Sequence, residues 1–290
     1  MLVSKVPDAA RNIRLQKYIQ RAWPMLPGFA VRNAFKKRDV RVNGERSDGE
    51  RVLNPGDEVK IFTDKKYEDF SLEILYADEF LVSFVKPKGL PVDLDQDGIG
   101  EDTVLTRLRR IYESARLVHR LDAPTGGVML AALTDDAERA LAGAFYEHKI
   151  QKHYQALVKG SPKKDYGHMK AYLLKDAKSA LVRVTDKETP GARRIETAYR
   201  VVKRYDIIGE ALSDVDVEIF TGRTHQIRAH MSHIGHPLIG DDKYGDREIM
   251  KKLKCTDLCL WCKSLTIGKY EGLQNYEGQT FFKEKPEWKI

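Results

Sequence analysis

From Arg14, the apolar residues Leu15, Tyr18, Ile19 and Ala22 recur at the i, i+3, i+4, i+7 spacing of an amphipathic helix. Pro24 and Pro27-Gly28 end it. A second short helix turns Val31, Ala34 and Phe35 inward and Arg32, Lys36, Lys37 and Arg38 outward. The period then drops to two: Val40 and Val42 alternate into Asn43-Gly44, a pair that favours a tight hairpin turn. Val52-Leu53, the turn Asn54-Pro55-Gly56-Asp57 and Val59-Lys60-Ile61 complete a small unit over 14–63. Residues 1–13 read as a loose tail and the polar run 64–71 as a linker, leaving 72–290 for a larger domain.

In that larger domain, Ile74-Leu75-Tyr76 and Leu81–Val85 predict strands, stopped by Lys86-Pro87-Lys88-Gly89-Leu90-Pro91. Asp93–Asp102 predicts an acidic loop and Thr103–Tyr112 a helix. A strand is expected to carry Arg120 and Asp122 into the turn Ala123-Pro124-Thr125-Gly126-Gly127. The apolar run Val128–Leu133 and a helix over Asp135–His148 follow. Lys152–Lys159, Leu181–Val184, Thr197–Val202 and Val215–Phe220 predict strands of a broad sheet, with a helix over Thr224–Gly235. The fold class is therefore α+β, a long mixed, mainly antiparallel sheet flanked by helices and loops, preceded by a small α/β unit. There is no internal repeat and no low-complexity tract.

Composition narrows the function. The 290 residues carry a net charge of +7, and the first 47 contain 11 Lys and Arg against 3 Asp and Glu. The whole excess thus sits on the first sixth of the chain, as on a polyanion-binding appendage to a nearly neutral body. No apolar run reaches the ~18 residues of a membrane span, and Met1–Ala10 lacks the apolar core of a secretory signal. Three cysteines, an odd number, argue against a disulfide framework and for a reducing cytoplasm.

The candidate chemistry lies in two runs. Leu117-Val118-His119-Arg120-Leu121-Asp122 sets a carboxylate two residues after an arginine, and Thr221–His230 offers Arg223 and Arg228 as cationic partners for it. A carboxylate fixed beside one atom can attack a sugar or a base ring, or take a proton from a sugar. An opposite charge within ~4–6 Å keeps such a group ionised in a dry pocket; Arg228 is the first choice for that role and Arg223 the second. A base in structured RNA must be extracted before such chemistry. Residues two apart on a strand share a face, so Arg120 is expected beside Asp122, with a planar guanidinium suited to bases.

These runs resemble the signatures of the RluA-type RNA pseudouridine synthases. "HRLDAPTGGVMLAA" is similar to that family's His-Arg-Leu-Asp-x-x-Thr-Ser-Gly motif, and "GRTHQIRAHMSHIGHPLIGDDKYG" to its second signature. "KHYQALVKG" resembles its Tyr-x-Ala-x-Val strand and "LCLWCKSLTI" its late strand. The resemblance spans about residues 72–270. It implies that Asp122 is the catalytic carboxylate, Arg120 a base-flipping residue, and Arg228 the cation paired with Asp122. It also implies that Tyr154 lies against the target uracil and Leu260 beneath it. Helix, helix and short strands with "RVNGE" at the hairpin resemble the S4-type RNA-binding domain, which makes Arg14, Arg32, Lys36, Lys37, Arg38 and Arg41 its RNA-contacting candidates.

The expected activity is isomerisation of uridine to pseudouridine in structured RNA, in large-subunit rRNA before tRNA. The expected partner is RNA, with no metal or organic cofactor, no membrane and no obligate protein partner, and the chain is expected to act as a monomer. Departures from the family pattern are Gln16 for Asp, Gly126 for Ser, Leu260-Trp261-Cys262 for Leu-His-Ala, and "LPVDLDQDG" without His-Pro after Pro-Val. Two other classes remain open: a catalytically silent RNA-binding or ribosome-assembly factor, and a metalloenzyme. The second would use His225, His230, His233 and His236 or the C-x3-C-x2-C set Cys255, Cys259 and Cys262.

Overall fold

A computed structural model describes residues 1–176 and 181–290, and the chain forms two compact units. The first comprises residues 1–73 and 89–115. Strands β1 (Leu2–Lys5) and β2 (Ile13–Arg14) precede helices α1 (Leu15–Ala22) and α2 (Gly28–Lys36). Short strands β3 (Val40–Val42), β4 (Glu45–Arg46), β5 (Val52–Leu53) and β6 (Glu58–Ile61) follow. One sheet has the order β1-β6-β3-β4, and β2 pairs with β5. The predicted α1 stripe of Leu15, Tyr18, Ile19 and Ala22 is fully buried, together with Val31, Val40, Val42, Val59 and Ile61.

Two expectations fail here. The loose tail over 1–13 is instead anchored: Leu2–Lys5 pairs antiparallel with Glu58–Ile61 and buries Leu2 and Ser4 in alternation. The period-2 signal is only four residues long, too short to stand out beside polar neighbours. Within 64–71, Lys65–Tyr67 forms a 3₁₀ turn, and Tyr67 and Phe70 pack on the core of this unit. The acidic loop after Pro91 also folds with it, because Arg21 pairs with Asp95 and Asp97 and Ile99 enters the core. Helix α3 (Val104–Arg109) starts at a Thr103–Thr106 capping box, and Arg107 clamps Asp102 through a buried two-point ion pair.

The second unit comprises residues 74–88 and 116–290. Its described strands are β7 (Glu73–Ala77), β8 (Leu81–Lys86), β9 (Arg116–Leu117), β10 (Gly126–Ala132), β11 (Ile150–Lys159), β12 (Tyr166–Lys175), β13 (Val182–Thr185), β14 (Arg193–Ile207), β15 (Glu210–Ile219), β16 (Leu260–Ile267) and β17 (Thr280–Phe282). Helices α4 (Asp135–Tyr146), α5 (Gln226–His233) and α6 (Arg247–Leu253) flank them. The sheet runs β13-β12-β14-β15-β11-β16-β10-β8-β7, with β17 on β16 and β9 on β10. The β10–β16 pair is parallel, while β10 with β8 and β9, β11 with β15 and β16, β12 with β13 and β14, β14 with β15 and β16 with β17 pair antiparallel. This is the mixed, mainly antiparallel sheet the sequence predicts. Central strands β8 and β10 are buried along their whole length, which is why they are continuous apolar runs without alternation.

Two features of this sheet shape the site. Gly127, at φ +124°, sits where β10 meets β16, and a Cβ there would lie 2.2 Å from the Cys262 carbonyl oxygen. A Cβ on Gly126 would lie 2.6 Å from the Trp261 ring. Gly126 and Trp261 are register partners, so the two departures from the family pattern fit each other. Strand β11 carries a register shift between His153 and Tyr154, the kind of bulge that re-aims a side chain.

Candidate active site

Asp122 is not on a strand. The chain leaves the ladder after Leu117 and runs in irregular conformation to Gly126, so the two-residue periodicity that was to align Arg120 with Asp122 does not operate. The Thr125 N–H donates to the Asp122 carbonyl at 2.9 Å, closing a turn over Ala123-Pro124. Lys86 braces this turn from the end of β8. Its buried ammonium donates to the carbonyls of Thr125 at 2.7 Å, Ala123 at 2.9 Å and Pro87 at 3.1 Å. Burial pushes the Lys86 ammonium down to about 7, while the charge of Asp122 acts the other way. Upstream, His119 Nε2 accepts the Leu130 N–H at 2.9 Å, and its ring stacks on Phe145 with centroids 4.2 Å apart. Desolvation holds His119 neutral, down to about 3.

The cation predicted for Asp122 is in place. Arg228 Nη1 lies 3.6 Å from Asp122 Oδ2. Arg228 is 2% exposed, and its guanidinium is fixed from behind. Nε and Nη2 donate to the two oxygens of Asp241 at 2.8 and 2.6 Å, and Nη2 also reaches Asp242 at 2.7 Å. Burial alone would lower the pKa of Arg228, but the bonds to Asp241 and the charges of Asp241, Asp122 and Asp242 raise it. The paired Asp241 is correspondingly lowered despite its own burial. A fork held on one carboxylate cannot swing, so its remaining nitrogen marks a fixed point for Asp122.

His225 completes the surround. It caps α5 in the left-handed conformation, φ +54°, and its Nε2 is 3.8 Å from Asp122 Oδ2. The Val182 N–H donates to the Tyr244 hydroxyl at 2.8 Å, and that hydroxyl lies 3.0 Å from His225 Nδ1. Burial lowers the pKa of His225, partly offset by the charge of Asp122. Tyr244 also lies beneath the guanidinium, its ring 5.5 Å from the carbon of Arg228.

Tyr154 and Leu260 share one face of the sheet. Tyr154 pairs with Cys262, and Ala156 with Leu260, across β11 and β16. Tyr154 is 7% exposed and hydrogen-bonded to the Cys262 thiol. Burial, that thiol and the charge of Asp122 all raise its pKa. Burial pushes Cys262 up to about 12, so the thiol stays protonated.

The other predicted residues fall elsewhere. Arg120 is exposed on the Asp122 segment. Arg223, the second choice as partner, is exposed on the loop before α5, where its backbone N–H donates to Gln226 Oε1. In the first unit, Arg14, Arg32, Lys36, Lys37, Arg38 and Arg41 are all exposed, and Arg14 pairs with Glu50. The residues that sequence reasoning missed are Lys86, His119, His225, Asp241 and Tyr244. His225, Asp241 and Tyr244 sat inside the second signature. Nothing in a chain pattern says that Asp241 faces Arg228.

The four histidines and three cysteines do not converge. His225 meets Tyr244, His230 the Thr197 hydroxyl, His233 Asp186, and His236 the Lys159 carbonyl. All three cysteines are free thiols: Cys255 and Cys259 hydrogen-bond each other, while Cys262 hydrogen-bonds Tyr154. No group of three or more His, Cys, Asp or Glu among the described residues has metal-binding geometry, and no described helix is long and apolar enough to cross a membrane.

Comparison with known proteins places this site in a class. The profile of the family described as RNA pseudouridylate synthase matches residues 81–233, which include Asp122, Tyr154 and Arg228. An "Uncharacterized RNA pseudouridine synthase" of Aquifex aeolicus (strain VF5) is 37% identical over 80% of this chain and 77% of its own length. A "Ribosomal large subunit pseudouridine synthase C" of Escherichia coli (strain K12) is 34% identical over 83% of this chain and 78% of its own. In fold, the chain is similar to "Human RNA Pseudouridylate Synthase Domain Containing 1". That match has a TM-score of 0.61 at 23% identity, over 75% of this chain and 84% of the human one. This chain belongs to the RluA-type RNA pseudouridine synthases and is an enzyme of RNA modification.

Proposed function

We propose that this synthase modifies uridine in large-subunit ribosomal RNA, with Asp122 as the carboxylate that meets the everted nucleotide. In the net reaction the N1–C1′ bond breaks and a C5–C1′ bond forms; a proton leaves C5 and N1 gains one. Asp122 acts on the sugar or the ring. Arg228 and His225 flank its oxygen, Tyr154 lies along the uracil face with Leu260 beside it, and Arg120 supports the everted state. The observation that carries this reading is the 3.6 Å approach of Arg228 to Asp122, with Arg228 itself clamped by Asp241. A guanidinium so restrained supplies charge without reorganising during the reaction.

The first unit acts in this reading as an S4-like appendage. Its excess of positive charge binds phosphates in a salt-sensitive, largely sequence-tolerant way. The choice of large-subunit rRNA is supported by the relatives named for that activity in Escherichia coli and Vibrio cholerae. Site-resolved pseudouridine mapping of total RNA from cells with and without this protein tests the substrate. A site missing from large-subunit rRNA in the deficient cells is expected; loss confined to tRNA contradicts the assignment.

A further inference from the structure

The outer face of the β1-β6-β3-β4 sheet carries a charge pattern that stability alone does not favour. Lys60 stands directly opposite Arg41, and Arg41 directly opposite Arg46. Like charges opposite one another across strands repel. Glu58 offsets one of them, lying 2.6 Å from Lys60. Arg41 and Arg46 are exposed. The result is a cationic row running across three strands, with Val40, Val42, Val59 and Ile61 buried on the opposite face.

At one end this row meets a cavity of about 220 Å³ between α2 and the chain following β6. Phe62 links the two: it lines the cavity, and the Arg41 guanidinium sits 5.5 Å over its ring. Phe29 of α2 lines the same cavity and is 53% exposed, while Phe62 is 38% exposed. Tyr67 adds a third ring and Lys37 a cation at the wall. Exposed phenylalanines on a small unit cost solubility unless something covers them. Thr63 also lines the cavity.

The occupant must satisfy aromatic walls and two carboxylates, since Asp39 and Asp64 line the cavity as well. Those carboxylates repel an anion inside but accept from an amino group. A flat neutral heteroaromatic ring whose anionic backbone stays outside, on the Lys60–Arg41–Arg46 row, meets every condition. We infer that the first unit holds an unpaired RNA segment, its phosphates along that row and one nucleobase, preferably bearing an exocyclic amine, between Phe29 and Phe62. Stacking on aromatic rings beside a basic track is the general chemistry of single-strand binding. This rests on the reading that the first unit binds substrate RNA, and adds to it a specific base-accepting pocket.

The test uses the full chain and a short single-stranded oligoribonucleotide with one central 2-aminopurine, whose fluorescence is quenched on stacking. The wild type and Asp122→Asn should both quench it. The double variant Phe29→Leu with Phe62→Leu, shown folded by its melting curve, should lose the quench and bind about ten-fold more weakly. Arg41→Gln with Lys60→Gln should lower the salt dependence of binding while retaining the quench at saturation. Full quench and affinity in the double leucine variant, or loss of quench in Asp122→Asn, overturns the inference. Failure of the wild type to make pseudouridine in rRNA would defeat the proposed function and leave this result standing.

Discussion

Arg228, Asp241 and His225 show how single residues set the geometry around Asp122. Arg228 gives two nitrogens to Asp241 and keeps one for Asp122, so its position does not depend on whether substrate is bound. Burying such a pair is costly, and removing one partner typically destabilises by about 3–5 kcal/mol. The helix that bears Arg228 carries a second restraint. His230 is 1% exposed and meets the Thr197 hydroxyl at 3.0 Å, and desolvation holds it down to about 4. The unfolded chain takes up that proton near pH ~6.5, whereas the folded one refuses it until about 4. Stability is therefore complete above about pH 6.5 and falls as the pH drops, with a slope of up to about 1.4 kcal/mol per unit from this group. Urea midpoints of the wild type and His230→Gln, compared from pH 7 to pH 4.5, should converge as the pH falls. A constant gap between them contradicts a neutral buried His230.

Strands and the loops between them decide what the active-site residues can do. The two-residue strand β9 releases the chain before Asp122, and Lys86 and His119 then hold the released segment from two sides. The signature was legible in sequence because its residues are contiguous. The irregular conformation was not, because it arises from buried bonds to a lysine 36 residues earlier. Strand β12 was missed for a related reason. Its first half is largely exposed on both faces, so no apolar alternation marks it. The β10–β16 junction is the tightest element. Gly127→Ala would drive a Cβ into the Cys262 backbone at a positive φ and should cost about 3 kcal/mol. It should also reduce turnover, since Cys262 backs Tyr154 across the adjacent pair. Calorimetry and a pseudouridine assay on one preparation check both; a normal melting temperature contradicts the close approach.

At the scale of the whole chain, the mixed sheet and the approach of Arg228 to Asp122 were readable in advance. They follow from apolar periodicity and from motifs that keep the candidate residues within short runs. The unit boundary was less legible. Residues 89–115 fold with the first unit through Ile99 and the Arg21 pairs with Asp95 and Asp97, contacts that no local pattern announces. The anchored first strand was hidden in the same way, since its partner lies more than fifty residues on. The excess of basic residues in the first 47 positions needs no such long-range knowledge, since charge alone marks a segment suited to a polyanion.

The most direct measurement is pseudouridine mapping of large-subunit rRNA transcripts incubated with wild-type protein or Asp122→Asn, alongside RNA binding and melting of both proteins. Asn keeps the size of the side chain and removes its charge. The account predicts that the variant folds, binds RNA with near wild-type affinity and leaves every uridine unchanged. Pseudouridine formed by the variant at the wild-type site would contradict the role assigned to Asp122.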